Sequence, residues 1–125
     1  MDTRSKILTP GASLPPEIRR PLVVVTGYFD VLRGEHVREL ASVRERIGAG
    51  TLVVAVLPLA EEVLEQRARA ELVAALRMVD YVLIADPQEL ERLIASFEPA
   101  ELVRLEAGDA RRIRELKEHV HRTQP

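Results

Sequence analysis

The sequence predicts an α/β domain built on a doubly wound parallel sheet. Two observations carry that prediction. Short apolar runs without polar alternation recur at Leu22-Val23-Val24-Val25, Leu52-Val53-Val54-Ala55-Val56 and Tyr81-Val82-Leu83-Ile84. Runs of this kind suit strands covered on both faces. Between them lie stretches with apolar residues at helical spacing, so strand and helix alternate, the pattern of a parallel sheet with crossover helices.

Taken in order, residues 1–20 hold Pro10-Gly11 and Pro15-Pro16 and read as an irregular arm, with the α/β domain over 21–125. The first strand, Leu22-Val23-Val24-Val25, ends near Thr26 and Gly27. A helix follows over 35–47, with Val37, Leu40, Val43 and Ile47 on one face, and Gly48-Ala49-Gly50 stops it. After the second strand, Pro58 is expected to open a long helix whose apolar face carries Val63, Leu64, Leu72, Leu76 and Val79. The third strand leads to a helix over 87–97 with Leu90, Leu93 and Ile94 inward. Residues 101–105 read as a weaker strand nearer an edge. A charged terminal helix over 109–122 carries Ile113, Leu116 and Val120. The sum is four to five strands, with helices on both faces and right-handed crossovers.

Composition narrows the function classes. At 125 residues there is room for one domain. A hydrophobic share of 46% fills a core, and with 3% aromatic residues that core is aliphatic. The net charge of −2 argues against nucleic-acid binding through bulk charge. The lack of cysteine removes disulfides, thiolate catalysis and cysteine-based zinc sites. No apolar run reaches the roughly 18–20 residues that cross a bilayer, and the first sixteen residues lack a signal-peptide core. The expectation is a cytoplasmic protein with neither a nucleic-acid nor a membrane partner.

In doubly wound sheets ligands lie beyond the carboxyl ends of the strands, where the winding reverses. That rule selects residues 26–36. The helix beginning near Glu35 presents unpaired backbone N–H groups and a partial positive charge, which suit phosphate, and Gly27 would let a ligand approach the backbone. A plain tight turn explains the same glycines. Neither the dinucleotide fingerprint nor the P-loop spacing is present.

The run Val24-Val25-Thr26-Gly27-Tyr28-Phe29-Asp30-Val31-Leu32, followed by His36-Val37-Arg38, resembles the opening of the cytidylyltransferase-like nucleotidyltransferases. Within them it is most similar to the adenylyltransferases of the bacterial heptose-phosphate pathway (ADP-heptose synthase type) and the glycerol-phosphate cytidylyltransferases. A second block agrees: Arg69-Ala70-Glu71-Leu72-Val73-Ala74-Ala75-Leu76, then Val79-Asp80-Tyr81-Val82-Leu83-Ile84. The resemblance spans residues 21–109 and implies a Rossmann-like fold. It also implies a reaction in which a sugar or polyol phosphate attacks the α-phosphate of ATP or CTP, with Mg2+, releasing pyrophosphate. Such enzymes act mainly by positioning and charge neutralisation. Carried across, it makes His36 and Arg33 the catalytic candidates and Thr26, Gly27, Tyr28, Phe29, Asp30 and Arg69 the nucleotide-binding ones, with no metal ligand assigned. The bland readings are that Asp30 fixes the turn through backbone hydrogen bonds and that Arg69 is the surface partner of Glu65.

The chain also departs from that family. Its His-x-Gly-His signature stands here as Arg33-Gly34-Glu35-His36, so one histidine is lost and a carboxylate enters the anion site. Two like charges about 4 Å apart repel by roughly 4 kcal/mol at an effective dielectric of 20. The loop after the second strand, which closes over substrate in the family, reads as deleted ahead of the helix at Pro58. The Ser/Thr-rich signature near the family's C-terminus has no counterpart, and its late lysine is matched only by Arg104. These departures point to a degenerate relative, with a vestigial nucleotide or phosphate site, that pairs with itself or with an active paralogue. The alternative is an active adenylyl- or cytidylyltransferase. Elsewhere, His119 and His121 fall on different sides of a helix and make a poor metal pair, and Asp80 and Asp86 read as ordinary strand-end residues.

Overall fold

A computed structural model describes residues 3–8, 14–15, 18–30, 32, 34–61 and 64–106. The described chain forms a five-stranded, wholly parallel sheet. The strands are β1 (Ile7–Leu8), β2 (Leu22–Gly27), β3 (Thr51–Val56), β4 (Tyr81–Ile84) and β5 (Glu101–Arg104), and the helices are α1 (Gly34–Ile47), α2 (Gln66–Ala74) and α3 (Pro87–Phe97). The order across the sheet is β1-β4-β3-β2-β5. The chain winds outward from β2 to β4 and then returns past β2 to lay down β5, so the reversal falls between β2 and β5. This is the expected Rossmann-like architecture.

The strands are buried on both faces because their apolar runs do not alternate. Val23 and Val25 of β2, Leu52, Val54 and Val56 of β3 and Val82 of β4 face one way, against Leu40 and Val43 of α1 and Ala70, Val73 and Ala74 of α2. Leu22 and Val24, Val53 and Ala55, and Leu83 face the other way, against Leu90 and Phe97 of α3. Helices therefore cover both faces. Burying each aliphatic side chain is worth about 1.5–3 kcal/mol, so these two layers dominate the stability of the domain.

Helix ends follow local chemistry. Asp86 caps α3, its carboxylate accepting from the Glu89 N–H at 2.8 Å, while the Glu89 side chain reciprocates to the Asp86 N–H. Pro87 opens the helix, and Glu98 closes it in the left-handed region at φ 49°. The Arg20 guanidinium then donates to the carbonyls of Phe97 and Glu98, both at 2.9 Å, satisfying the last turn. Gly48 (φ 55°) ends α1.

Three expectations are corrected. Ile7 and Leu8 pair in parallel with Val82 and Leu83, so part of the irregular arm is an edge strand. The helix expected to open at Pro58 begins at Gln66 and spans nine residues. Its buried face is Arg69, Ala70, Val73 and Ala74, whereas Leu72 is exposed. Small alanines bring α2 close to the sheet, a packing that a search for large apolar residues misses. Residues 57–65 therefore connect β3 to α2, where direct entry into a helix at Pro58 was expected. Asp80, read as unexceptional, accepts from the Leu52 N–H at 2.8 Å and from Arg44, tying the start of β3 to the turn before β4. The terminal helix expected over 109–122, with His119 and His121, lies outside the described residues.

Candidate functional site

The sheet places the ends of β2 and β5 side by side. Thr26 aligns with Arg104, and the Leu105 N–H donates to the Thr26 carbonyl at 2.8 Å. On its other flank, the Leu57 N–H donates to the Gly27 carbonyl at 2.9 Å. The turn 27–30 thus leaves the sheet from between two neighbours, at the reversal of winding where doubly wound sheets bind ligands.

Phe29 turns back rather than outward. It lies in the left-handed region at φ 52°, is 1% exposed, and its ring packs over Gly27. A Cβ on Gly27 would stand 2.8 Å from Phe29 Cε2, so this glycine makes room for the Phe29 ring. The space a side chain would fill at this glycine is taken by the Phe29 ring. His36, in the first turn of α1, is 5% exposed and meets the Phe29 ring at 5.4 Å between centroids, tilted by 59°. Phe29 and His36 form the floor of the turn.

Arg69 is 0% exposed. Its Nη1 donates to the carbonyls of Tyr28 at 2.7 Å and Leu57 at 2.8 Å, and its Nε donates to the Leu64 carbonyl at 3.1 Å. One guanidinium therefore ties the turn after β2, the residue after β3 and the segment before α2. A rigid fork of N–H donors suits that task better than a lysine would. Both earlier readings of Arg69, a direct phosphate contact and a surface pair with Glu65, are replaced by this internal clamp. Asp30 belongs to the same knot: its Oδ1 accepts from the Leu64 N–H at 3.0 Å, bonding to backbone as expected but in the facing loop.

The outer rim holds two residues missed in the sequence. Glu106, just beyond β5, accepts a 2.7 Å hydrogen bond from Thr26 Oγ1 and lies 3.7 Å from Arg104. It places a carboxylate across the crevice between β2 and β5. The signal for it in the sequence is positional, since a switch point is flanked by two strands and Glu106 follows the second of them. Arg38 is exposed, and its Nη1 would come within 3.2 Å of a Cβ on Gly34, so the cation lies against the first turn of α1. Glu35 shares that turn and is half-buried. Arg104, matched to the family lysine, pairs with Glu91 at 3.1 Å. Arg33 lies outside the described residues.

The arrangement thus has an interior of committed donors and a rim of mixed charge. Among the described residues, no group of three or more His, Asp or Glu is placed to hold a metal ion. No helix among them is long and apolar enough to cross a membrane.

The class these features define is a Rossmann-like α/β protein with its candidate site at the switch point of the sheet. No protein-family model matches the sequence, and no curated protein matches it significantly. Eighteen solved chains match. One is the crystal structure of the lipopolysaccharide core biosynthesis protein from Thermoplasma volcanium GSS1. It is similar over 65% of this chain and 70% of its own, with a TM-score of 0.57 and 20% identity. The likeness is one of fold.

Proposed function

We propose that this chain is a degenerate nucleotidyltransferase-like protein, catalytically weak or inactive, that keeps a vestigial site for the phosphates of a nucleotide or a small phosphorylated ligand. One observation carries the reading. The two groups that would neutralise transferring phosphate, His36 and Arg69, are turned inward, at 5% and 0% exposure, against the Phe29 ring and three backbone carbonyls. The Arg69 donors are spent on backbone carbonyls, and a buried imidazole packed on the Phe29 ring is turned away from a ligand outside.

The rim supports weak anion binding. Arg38 beside the amino end of α1 works against the helix dipole when the turn is empty, and an anion between them reverses that sign. Glu35 and Glu106 oppose the anion, which keeps affinity low. Thr26, Gly27, Tyr28 and Asp30 shape the turn, and Arg33 follows them in the sequence, one residue before α1. The lipopolysaccharide core biosynthesis protein of like fold supports this reading at the level of fold. Residues 57–65 connect β3 to α2, so the reading rests on the inward-turned His36 and Arg69 rather than on a shortened connection. ATP or CTP carrying Mg2+ is the nucleotide to test, and a second copy or an active paralogue in the cytoplasm is the partner this reading implies.

The test is pyrophosphate release from ATP or CTP with Mg2+ and a panel of sugar and polyol phosphates, alongside thermal stabilisation by each nucleotide. The reading expects no turnover above background and a small stabilisation that vanishes in Arg38→Ala. Turnover abolished by His36→Ala would overturn it and establish the active transferase instead.

A further inference from the structure

The opposite end of the sheet carries a separate feature. At the amino ends of β3 and β4, about 20 Å from the switch point for six-residue strands rising about 3.3 Å per residue, a cleft of about 730 Å³ opens. Its lining includes Lys6, Arg19, Arg44, Thr51, Asp80 and Tyr81. That volume falls within the roughly 300–1,000 Å³ of small-ligand pockets.

Charge selects the ligand. Among the described residues that line this cleft, three are cations and one, Asp80, is a carboxylate, in a protein whose net charge is −2. Asp80 is taken by Arg44, which also donates to the carbonyls of Met78, Gly48 and Gly50. Lys6 and Arg19 are left over. Lys6 Nζ donates to the Leu76 carbonyl at 3.3 Å, and among the described residues neither side chain is paired with a carboxylate. The Arg19 main chain is fixed, because the Thr51 hydroxyl accepts from its N–H at 3.1 Å and donates to its carbonyl at 2.6 Å. Its side chain is exposed beside the cleft. Two cations of like sign, held on a fixed backbone at one concavity, focus a positive field there.

We propose that this cleft is a second binding site, for a small polyanion of the pyrophosphate or phosphate-ester class, held by Lys6 and Arg19 over the Arg44–Asp80 pair with Tyr81 at its side. It is independent of the switch-point site and of whether that site is active.

The test is titration of the ¹⁵N-labelled full-length protein with sodium pyrophosphate at constant ionic strength, followed by amide chemical shifts. Shifts are expected at Lys6, Arg19, Thr51 and Tyr81, persisting in His36→Ala. Arg19→Gln should weaken this binding about tenfold, the loss of one charge-assisted contact, with the remaining spectrum unchanged because no bond from its side chain to another described residue is broken. Lys6→Gln should weaken it as well. Shifts confined to residues 26–36, an unchanged affinity in Arg19→Gln, or no shift at millimolar pyrophosphate would each overturn the proposal.

Discussion

The Phe29 ring occupies the space in which a side chain on Gly27 would stand, with Cε2 2.8 Å from the position of a Cβ there. Gly27→Ala should therefore act as an overpacking change and destabilise the fold by about 1–3 kcal/mol. Phe29→Ala should cost more, about 3–5 kcal/mol, because it empties a buried site that His36 also borders. Urea unfolding of both single variants and the pair checks the relationship. In the double variant the penalties should fall short of additive, since removing the ring removes the clash. Strict additivity would separate the two residues.

Arg69 supplies a second expectation. Arg69→Met leaves the Tyr28, Leu57 and Leu64 carbonyls without their shared donor. Unsatisfied buried polar groups cost about 1–3 kcal/mol each, and some will recruit water, so a total near 3–5 kcal/mol is expected in chemical denaturation. Arg69→Lys should recover only part of it, because an ammonium cannot reproduce the fork. A loss below about 1 kcal/mol, as for an exposed ion pair, would return Arg69 to the surface role.

The rim carboxylates are expected to set anion affinity. Glu35→Gln and Glu106→Gln each remove a negative charge beside the switch point. Each should strengthen stabilisation by ATP in a thermal-shift titration, and high salt should flatten the gain. Glu35→Gln should also forfeit about 0.3–1 kcal/mol of favourable helix-dipole interaction in the absence of ligand. Opposite signs with and without nucleotide are the signature to look for; a uniform loss of stability would mean that the carboxylates serve the fold alone.

Asp86 carries a pH dependence. The Glu89 backbone N–H, then the Glu89 side chain, holds its carboxyl below the ordinary carboxylate range. A carboxyl whose folded value is depressed contributes stability that is complete above its unfolded value and is lost as pH falls through the folded value. Asp86→Asn should therefore lose stability relative to the parent near neutrality, and the difference should close on acidification. NMR titration of the Asp86 carboxyl reads the shift directly, and an ordinary value there would dismiss the capping account.

Much of the architecture was legible in the residues because burial on two faces leaves a one-dimensional trace. The runs at 22–25, 52–56 and 81–84 and the helix at 87–97, with Pro87 at its start, could be placed within a residue or two of their ends. The switch-point turn was locatable for the same reason, since it follows from strand order and a topological rule. Helix α2 was not legible, because its inward face is made of alanine, valine and one arginine rather than large apolar side chains. Strand β1 was hidden too, since two residues among prolines carry no periodicity until β4 offers them an edge.

Roles were legible less often than positions. Local sequence placed Thr26, Gly27, Phe29 and His36 at one end of the sheet, and the family resemblance added Arg69. Whether each faces a ligand or the interior depends on what lies across from it. Phe29 folds back over Gly27, the Tyr28, Leu57 and Leu64 carbonyls converge on Arg69, and Glu106 reaches Thr26 from just beyond β5, eighty residues later. Hydrophobic period and turn chemistry act over a few residues and determine where elements form. The direction of a polar side chain is settled by distant partners that compete for its hydrogen bonds, and only the packed fold brings those partners together.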